Sequence, residues 1–325
     1  MAVSAFNHPF NLIVHQVAPA VAVGCPVIVK PAPPTPLTCQ TFLNILFEAG
    51  LPKEWATLVA PENLDLATAL VADKRVGFFS FIGSSGVGWM LRSKLAPGAR
   101  CALEHGGVAP VIVAPDANLD TALPTLAKGG FYHAGQVCVS VQRIFCDSKI
   151  AEDVAVGIAA QADSMKVSDP TLPDTDVGPL INHNECDRVA TWVSDAISGG
   201  AKLITGGDKI SDSCYKPTVL FDPPADAKIS TAEIFGPAVC IYPYNDLDDA
   251  ITRANSLPVS FQAAVFTRNL DTAMHCYRHL DGTAIMVNDH TAFRVDWMPF
   301  AGARTSGHGV GGIPYTVHEM QTEKM

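Results

Sequence analysis

The chain has 325 residues, 48% hydrophobic and 17% charged, with a formal net charge of -10 and an isoelectric point near 5.4. This composition suits a soluble chain with a large buried core and about two domains, and its acidity argues against a nucleic-acid or anionic-membrane binder, since both need a basic patch. No apolar run reaches the ~18 residues of a membrane-spanning helix, the opening MAVSAFNHPFNLIVHQ lacks the marks of a signal peptide, and nine cysteines without a C-x-x-C pair suggest reduced thiols in a cytoplasmic protein.

In chain order, NLIVHQVAPAVAVG is apolar at helical spacing and stops at Gly24. PVIVK is a β-branched run ending at Lys30, and CQTFLNILFEAG is an amphipathic helix closed by Gly50. WATLVA reads as a strand, NLDLATALVAD as a helix capped by Asn63, VGFFSFIG as a strand and SGVGWMLRSKL as a helix. Beyond about residue 108 the alternation resumes: APVIVA strand, NLDTALPTLAKGGFYHAG helix, QRIFCD strand, AEDVAVGIAAQADSM helix. VSDPTLPDTDVGPLI reads as a surface excursion. DLDDAITRANSL and LDTAMHCYRHL then alternate as helices with the strands FQAAVFT and GTAIMVN. Strands this apolar, separated by helices, predict an α/β protein with Rossmann-like parallel sheets covered on both faces. The expected division, at the HGG turn near 106, is a first α/β domain over 1–106, a second over 107–305 and a C-terminal segment over 306–325.

Five short stretches carry candidate chemistry. In HAGQVCVSVQR, Gly135 gives backbone freedom just before Cys138, which a loop could present as a thiolate with its amide facing an oxyanion. The plain alternative is a buried thiol at a helix–strand junction. In CALEHGG, Glu104 closes a strand before a Gly-Gly turn; burial there would raise its pKa toward that of a useful base, whereas a lone glutamate at a turn is more often solvated. FIGSSGVG joins strand to helix through a glycine turn suited to phosphate, but it lacks the full G-x-G-x-x-G fingerprint. Lys30, before the proline-rich KPAPPTP, could meet ribose hydroxyls or simply be solvated. In EIFGP, Glu233 and Phe235 point the same way in an extended segment, able to hold a ribose and brace a flat ring.

The order of these stretches is more specific than any one of them. PFN, V-K-P, F-x-G-S-x-x-V-G, E-x-G-G, G-Q-x-C, E-I-F-G-P and P-F-x-G…S-G-x-G run from about residue 7 to the C-terminus, and this series resembles the aldehyde dehydrogenase superfamily. The resemblance implies that Cys138 is the nucleophile forming a thiohemiacetal with an aldehyde. It implies that Asn11 and the Cys138 amide bind the oxyanion, and that Glu104 activates the hydrolytic water. Lys30 would bind the adenosine ribose, Gly83 and Ser84 would lie at the pyrophosphate, and Glu233 and Phe235 would hold the nicotinamide half. Phe300 would wall the aldehyde pocket, with Val137 and Val139 flanking the nucleophile. The implied cofactor is NAD or NADP, the implied substrate a small-molecule aldehyde, and the implied assembly a homo-oligomer, dimer or tetramer.

Departures from the family pattern set further expectations. Met1 lies ten residues before Asn11, and the chain is expected to lack an N-terminal segment and a last strand, as a fragment or a natural truncation of impaired activity. Pro33 stands where NAD-preferring relatives often carry a glutamate, so NADP is expected to be tolerated or preferred. Arg143 could meet an anionic aldehyde, although a structural role is commoner; Phe293 and Trp297 suit an apolar one equally. A CoA-acylating enzyme is a further alternative, opposed by Glu104, and a hydrolase pairing Cys138 with His133 is another.

Overall fold

A computed structural model describes residues 1–325 and divides them into two compact units, Met1–Gly106 with Arg294–Met325, and Gly107–Phe293. The segment 294–305, expected with the second domain, belongs to the first unit.

The first unit opens with strand β1 (Ala2–Val3), helix α1 (Pro9–Ala22), β2 (Val27–Lys30), α2 (Pro36–Glu48), β3 (Ala56–Leu58), α3 (Leu64–Val71), β4 (Phe78–Ile82), α4 (Ser85–Arg92) and β5 (Arg100–Glu104). The second unit carries β6 (Pro110–Val113), α5 (Leu119–Phe131), β7 (Arg143–Asp147), α6 (Ala151–Ser164), α7 (His183–Ser198), β8 (Lys202–Thr205), β9 (Thr218–Phe221), α8 (Lys228–Thr231), β10 (Ala238–Tyr244), α9 (Leu247–Ala254), β11 (Val259–Ser260), β12 (Gln262–Phe266), α10 (Leu270–His279) and β13 (Ala284–Val287). The chain returns to the first unit with β14 (Ala303–Arg304), β15 (Gly307–His308) and α11 (Ile313–Glu319).

In the first unit the strand order is β15-β5-β4-β1-β2-β3, parallel except that β15 runs antiparallel to β5. Ala2 and Val3, successive on β1, join different apolar clusters, as the two-residue period of a strand requires. One cluster gathers Ile13, Val17 and Val29, the other Phe79, Phe81 and Leu103.

In the second unit the order is β13-β12-β6-β7-β10-β9-β8, with only β8 antiparallel to its neighbour. The residues of β12 are buried throughout, and those of β7 and β10 nearly so, which is why these strands read as unbroken apolar runs. Helix starts are set locally. Asn63, Asn118, Asn182, Asp246 and Asn269 each accept a first-turn amide through the side chain.

Candidate active site

The candidate residues fall into two groups, one in each unit. In the first unit Lys30, Gly83, Ser84 and Glu104 gather at the carboxyl ends of parallel strands, where ligands of open α/β sheets bind, whereas Asn11 lies on α1 and Phe300 in the connection before β14. β2 ends at Lys30, β4 at Ile82 just before Gly83, and β5 at Glu104. Gly83 N donates to Glu104 O at 3.0 Å, tying two of these ends together. A Cβ on Gly83 would lie 2.8 Å from the Phe81 ring, so a side chain there would have to displace that ring. Ser84 caps α4 by position, yet its exposed hydroxyl makes no capping bond and faces solvent beside the first-turn amides. That is a donor set suited to a phosphate. Lys30 is partly buried, which lowers its pKa, and its Nζ donates to Pro31 O at 3.3 Å.

Glu104 is the most perturbed acid of this group. Burial pushes its pKa up to about 7, and the positive charge of Arg294 acts in the opposite direction. A carboxylate that takes and gives its proton near neutrality suits general-base work. Its carboxyl rests against Gly311, where any Cβ would collide with Oε1. Gly311 in turn pairs with Phe300 through two main-chain bonds, 3.0 and 2.7 Å. Phe300 is buried, and the Arg294 guanidinium lies 3.9 Å from its ring centroid. His15 holds Arg294 at 3.3 Å through Nδ1, and its Nε2 is 3.3 Å from Asp296 Oδ1. Burial, then Arg294, lowers the pKa of His15. No pattern of spacing in the sequence marks Arg294, His15 or Gly311; only the fold brings them to Glu104.

Asn11 lies exposed in the first turn of α1. Asn7, which none of the quoted motifs singles out, lies in the connection between β1 and α1, at the same strand-end edge as Lys30 and Glu104. The sequence signal for it is the strand: AVSAFN carries β1, and Asn7 follows that strand's carboxyl end.

In the second unit Cys138 follows a strained loop. His133 (φ 51, ψ 30) and Ala134 (φ 53, ψ 34) take left-handed conformations, and Gly135 follows at φ 68. Left-handed non-glycine residues cost about 1–2 kcal/mol each and persist where their surroundings over-determine them. Gln136 does much of that: its Nε2 donates to His133 O and Pro179 O, both at 3.2 Å, and its Oε1 accepts from Ile181 N at 2.8 Å. Val137 and Val139 are buried, whereas Cys138 between them keeps partial access to solvent. Thr291 Oγ1 donates to Val139 O at 2.7 Å and holds the far side. Burial, then the charge of Cys138, raises the Tyr132 phenol pKa. His133 is exposed and packs edge-on against Tyr132, with ring centroids 5.0 Å apart.

Glu233 and Phe235 lie in the turn between α8 and β10, Phe235 at a left-handed φ of 47°. Burial pushes the Glu233 pKa up to about 8, against the opposing pull of the Gly107 amide and Arg188. Glu233 Oε1 is buried and has no hydrogen-bond partner. An orphaned carboxylate oxygen fits a ligand that brings hydroxyl donors, such as a ribose. Arg143 is committed to the fold. Its buried guanidinium donates to Arg253 O (2.9 Å) and Ala254 O (3.4 Å) at the end of α9, and lies over Phe145 and Tyr242.

Comparison with known proteins places these groups in context. The model of the aldehyde dehydrogenase family matches residues 1–325. The chain is 36% identical over 324 residues to a 3-sulfolactaldehyde dehydrogenase from Priestia aryabhattai, covering 100% of this chain and 68% of the relative. It superposes on aldehyde dehydrogenase 21 from Physcomitrella patens, solved with the reaction product succinate, with a TM-score of 0.94 at 34% identity, covering 98% of this chain and 66% of the other. A glyceraldehyde-3-phosphate dehydrogenase from Methanocaldococcus jannaschii, solved with NADP, gives a TM-score of 0.93 at 35% identity, over 98% of this chain and 70% of that one. The chain thus spans about two thirds of the length of these proteins. The match runs unbroken through both sheets, the thiol loop and the strand-end carboxylate, and this chain belongs to the aldehyde dehydrogenase family.

Proposed function

We propose that the chain oxidises an aldehyde to the carboxylic acid with NADP or NAD, through a thioester on Cys138. The observation that carries this reading is the Cys138 loop: a strained, tightly bonded backbone presents one partly accessible thiol between two buried valines. A thiolate there adds to the aldehyde carbonyl, and the resulting oxyanion needs preorganised donors. The Cys138 amide is one; Asn7, at the strand-end edge, suits the second better than the exposed Asn11. A nicotinamide, when bound, supplies the hydride acceptor. Glu233 would hold its ribose, Phe235 would brace the ring, Ser84 and the α4 amides would take the pyrophosphate, and Lys30 the adenosine ribose. Glu104, with its pKa near neutrality, would deprotonate the water that hydrolyses the thioester. A retained base favours hydrolysis over transfer to CoA.

The substrate class we propose is an anionic aldehyde. The three relatives act on a sulfonated aldehyde, yield succinate, or act on a phosphorylated aldehyde by their names. Arg294, beside the proposed wall Phe300, has a buried Nε without a partner, whereas Arg143 is committed to α9. Pro33 places no carboxylate near Lys30, which suits the 2′-phosphate of NADP. Nine cysteines without a disulfide support a reducing, cytoplasmic setting, and a homo-oligomer is the assembly we expect.

The test is aldehyde-dependent formation of reduced nicotinamide by the parent chain and by Cys138→Ser. Activity in the parent, lost at least about a thousandfold in the variant, is the expected result. Equal activity in both would remove Cys138 from the reaction.

A further inference from the structure

The Cys138 segment and the Glu233–Phe235 turn are far apart in sequence, and each is short of regular structure. What sets the turn's position is therefore a physical question. Its residues lie between the short helix α8 and β10, so no sheet ladder spans them.

We infer that Gln142 is a positioning residue, fixing the Glu233–Phe235 turn to the segment that carries Cys138. The side chain is buried, at 4% exposure. Its Nε2 donates to Ala232 O at 2.7 Å and to Ile229 O at 3.3 Å, and its Oε1 accepts from Ile234 N at 2.9 Å. The bonds to 232 and 234 grip the backbone immediately before and after Glu233. Both amide hydrogens and the carbonyl of the glutamine are used, a pattern that no other side chain of that length can reproduce.

A second contact, independent of the first, binds the same two pieces. Gly135, three residues before the nucleophile, lies so close to the turn that a Cβ would collide with Gly236 O. The segment itself is firmly anchored. Val141 N and Ser140 Oγ donate to Gly129 O at 3.0 and 3.1 Å, and Cys240 N donates to Gln142 O at 2.8 Å. Arg188 Nη2 steadies the turn from another direction, donating to Ile234 O at 2.6 Å. Gln142 is thus the side chain through which a fixed segment dictates the height and tilt of Glu233. The orphaned Oε1 of Glu233 is the group whose aim depends on it.

This inference deepens the proposed function and rests on it for the identity of the ligand, but not for the clamp. Two substitutions separate its parts. Gln142→Met keeps the volume and removes all three bonds. Gln142→Glu keeps an acceptor for Ile234 N and removes both donors. In the ligand-free chain, amide hydrogen exchange at Ile234 should accelerate about tenfold or more in Gln142→Met, while amides of β10 stay protected. Unchanged exchange at Ile234 would overturn the clamp. NADPH binding, followed by its fluorescence, should weaken about tenfold in Gln142→Met and less in Gln142→Glu. The rate of Cys138 alkylation by iodoacetamide should stay within about twofold of the parent, because the segment is anchored independently. Combined with Glu233→Gln, the loss should be less than the sum of the single losses, since both act through one contact. Additive losses, or full NADPH affinity in Gln142→Met, would overturn the positioning role. A parent chain that binds no NADPH, with Ile234 exchange still dependent on Gln142, would sink the functional reading and leave the clamp standing.

Discussion

Glu104, the proposed general base, shows how the demands of that role and of stability pull against each other at one residue. Its pKa rises from an ordinary 4.5 to about 7 on folding, chiefly through burial. The folded chain therefore holds a proton that the unfolded chain has released between those values, and stability falls as pH rises through that window. Ionising the buried group costs up to about 3 kcal/mol at pH 8. Glu104→Gln should remove this cost. Urea denaturation should show the variant more stable than the parent at pH 8 and about equal at pH 4.5; equal stability at both would show that the carboxyl is solvated. The same variant should still form a thioester but hydrolyse it slowly, leaving a burst of reduced nicotinamide without turnover. The parent's hydrolytic rate should climb with pH through about 7. Arg294 allows a second test at this scale. Arg294→Met removes a charge that favours ionised Glu104, so the pH midpoint of hydrolysis should move upward. If Arg294 also meets the anionic end of the substrate, KM should rise about tenfold for an anionic aldehyde and little for a neutral one of the same length. Equal changes for both would leave Arg294 a role in tuning Glu104 alone.

At the level of elements, the regular parts of the chain are legible in the sequence because their residues obey local rules. VIVK, FFSFI and QAAVF form β2, β4 and β12, and Asn63 caps α3 as its position before an apolar-periodic run predicts. Helix α7 is harder to read because its apolar stripe, Cys186, Val189, Val193 and Ala196, is diluted by acidic and polar neighbours. The antiparallel strands β8 and β15 are hidden for a different reason: their pairing is decided by distant partners rather than by their own short sequences. The Cys138 loop lies between these cases. Cys138 and Gly135 stand out in GQVC, but the left-handed run from His133 to Gly135 and the glutamine clamps are tertiary facts. Gly135 makes the point testable. Alanine there would adopt a positive φ and collide with Gly236 O. Because that neighbour is backbone, relief requires moving the turn. Gly135→Ala should lose about 2 kcal/mol of stability and over tenfold in kcat, by denaturation and steady-state assay. A fully active, equally stable variant would mean that the loop relaxes freely.

At the scale of the whole chain, the two units differ in how their cores are built. The second unit has one continuous apolar cluster that joins β6, β7, β10 and β12 to helices including α5, α6 and α7. The core of the first unit is split by its sheet into two smaller clusters, one around Val17, Val29 and Leu43, the other around Phe79, Phe81 and Leu103. Stability within one chain need not be uniform, and a region with fewer mutually supporting contacts opens first. The first unit should therefore lose structure at lower urea concentration than the second. The tryptophans make this visible, since Trp55, Trp89 and Trp297 lie in the first unit and Trp192 in the second. Tryptophan emission should change at lower urea than far-ultraviolet circular dichroism, which reports the helices of both units. Non-coincidence of the two curves is the accepted sign of departure from two-state unfolding. Adding NADP should draw the curves together, because a ligand that needs the first unit folded stabilises it by about 2.7 kcal/mol at a hundredfold excess over Kd. Coincident curves without ligand would mean that the split core is as cohesive as the continuous one, and that Lys30, Ser84 and Glu104 stand on a platform as firm as that beneath Cys138.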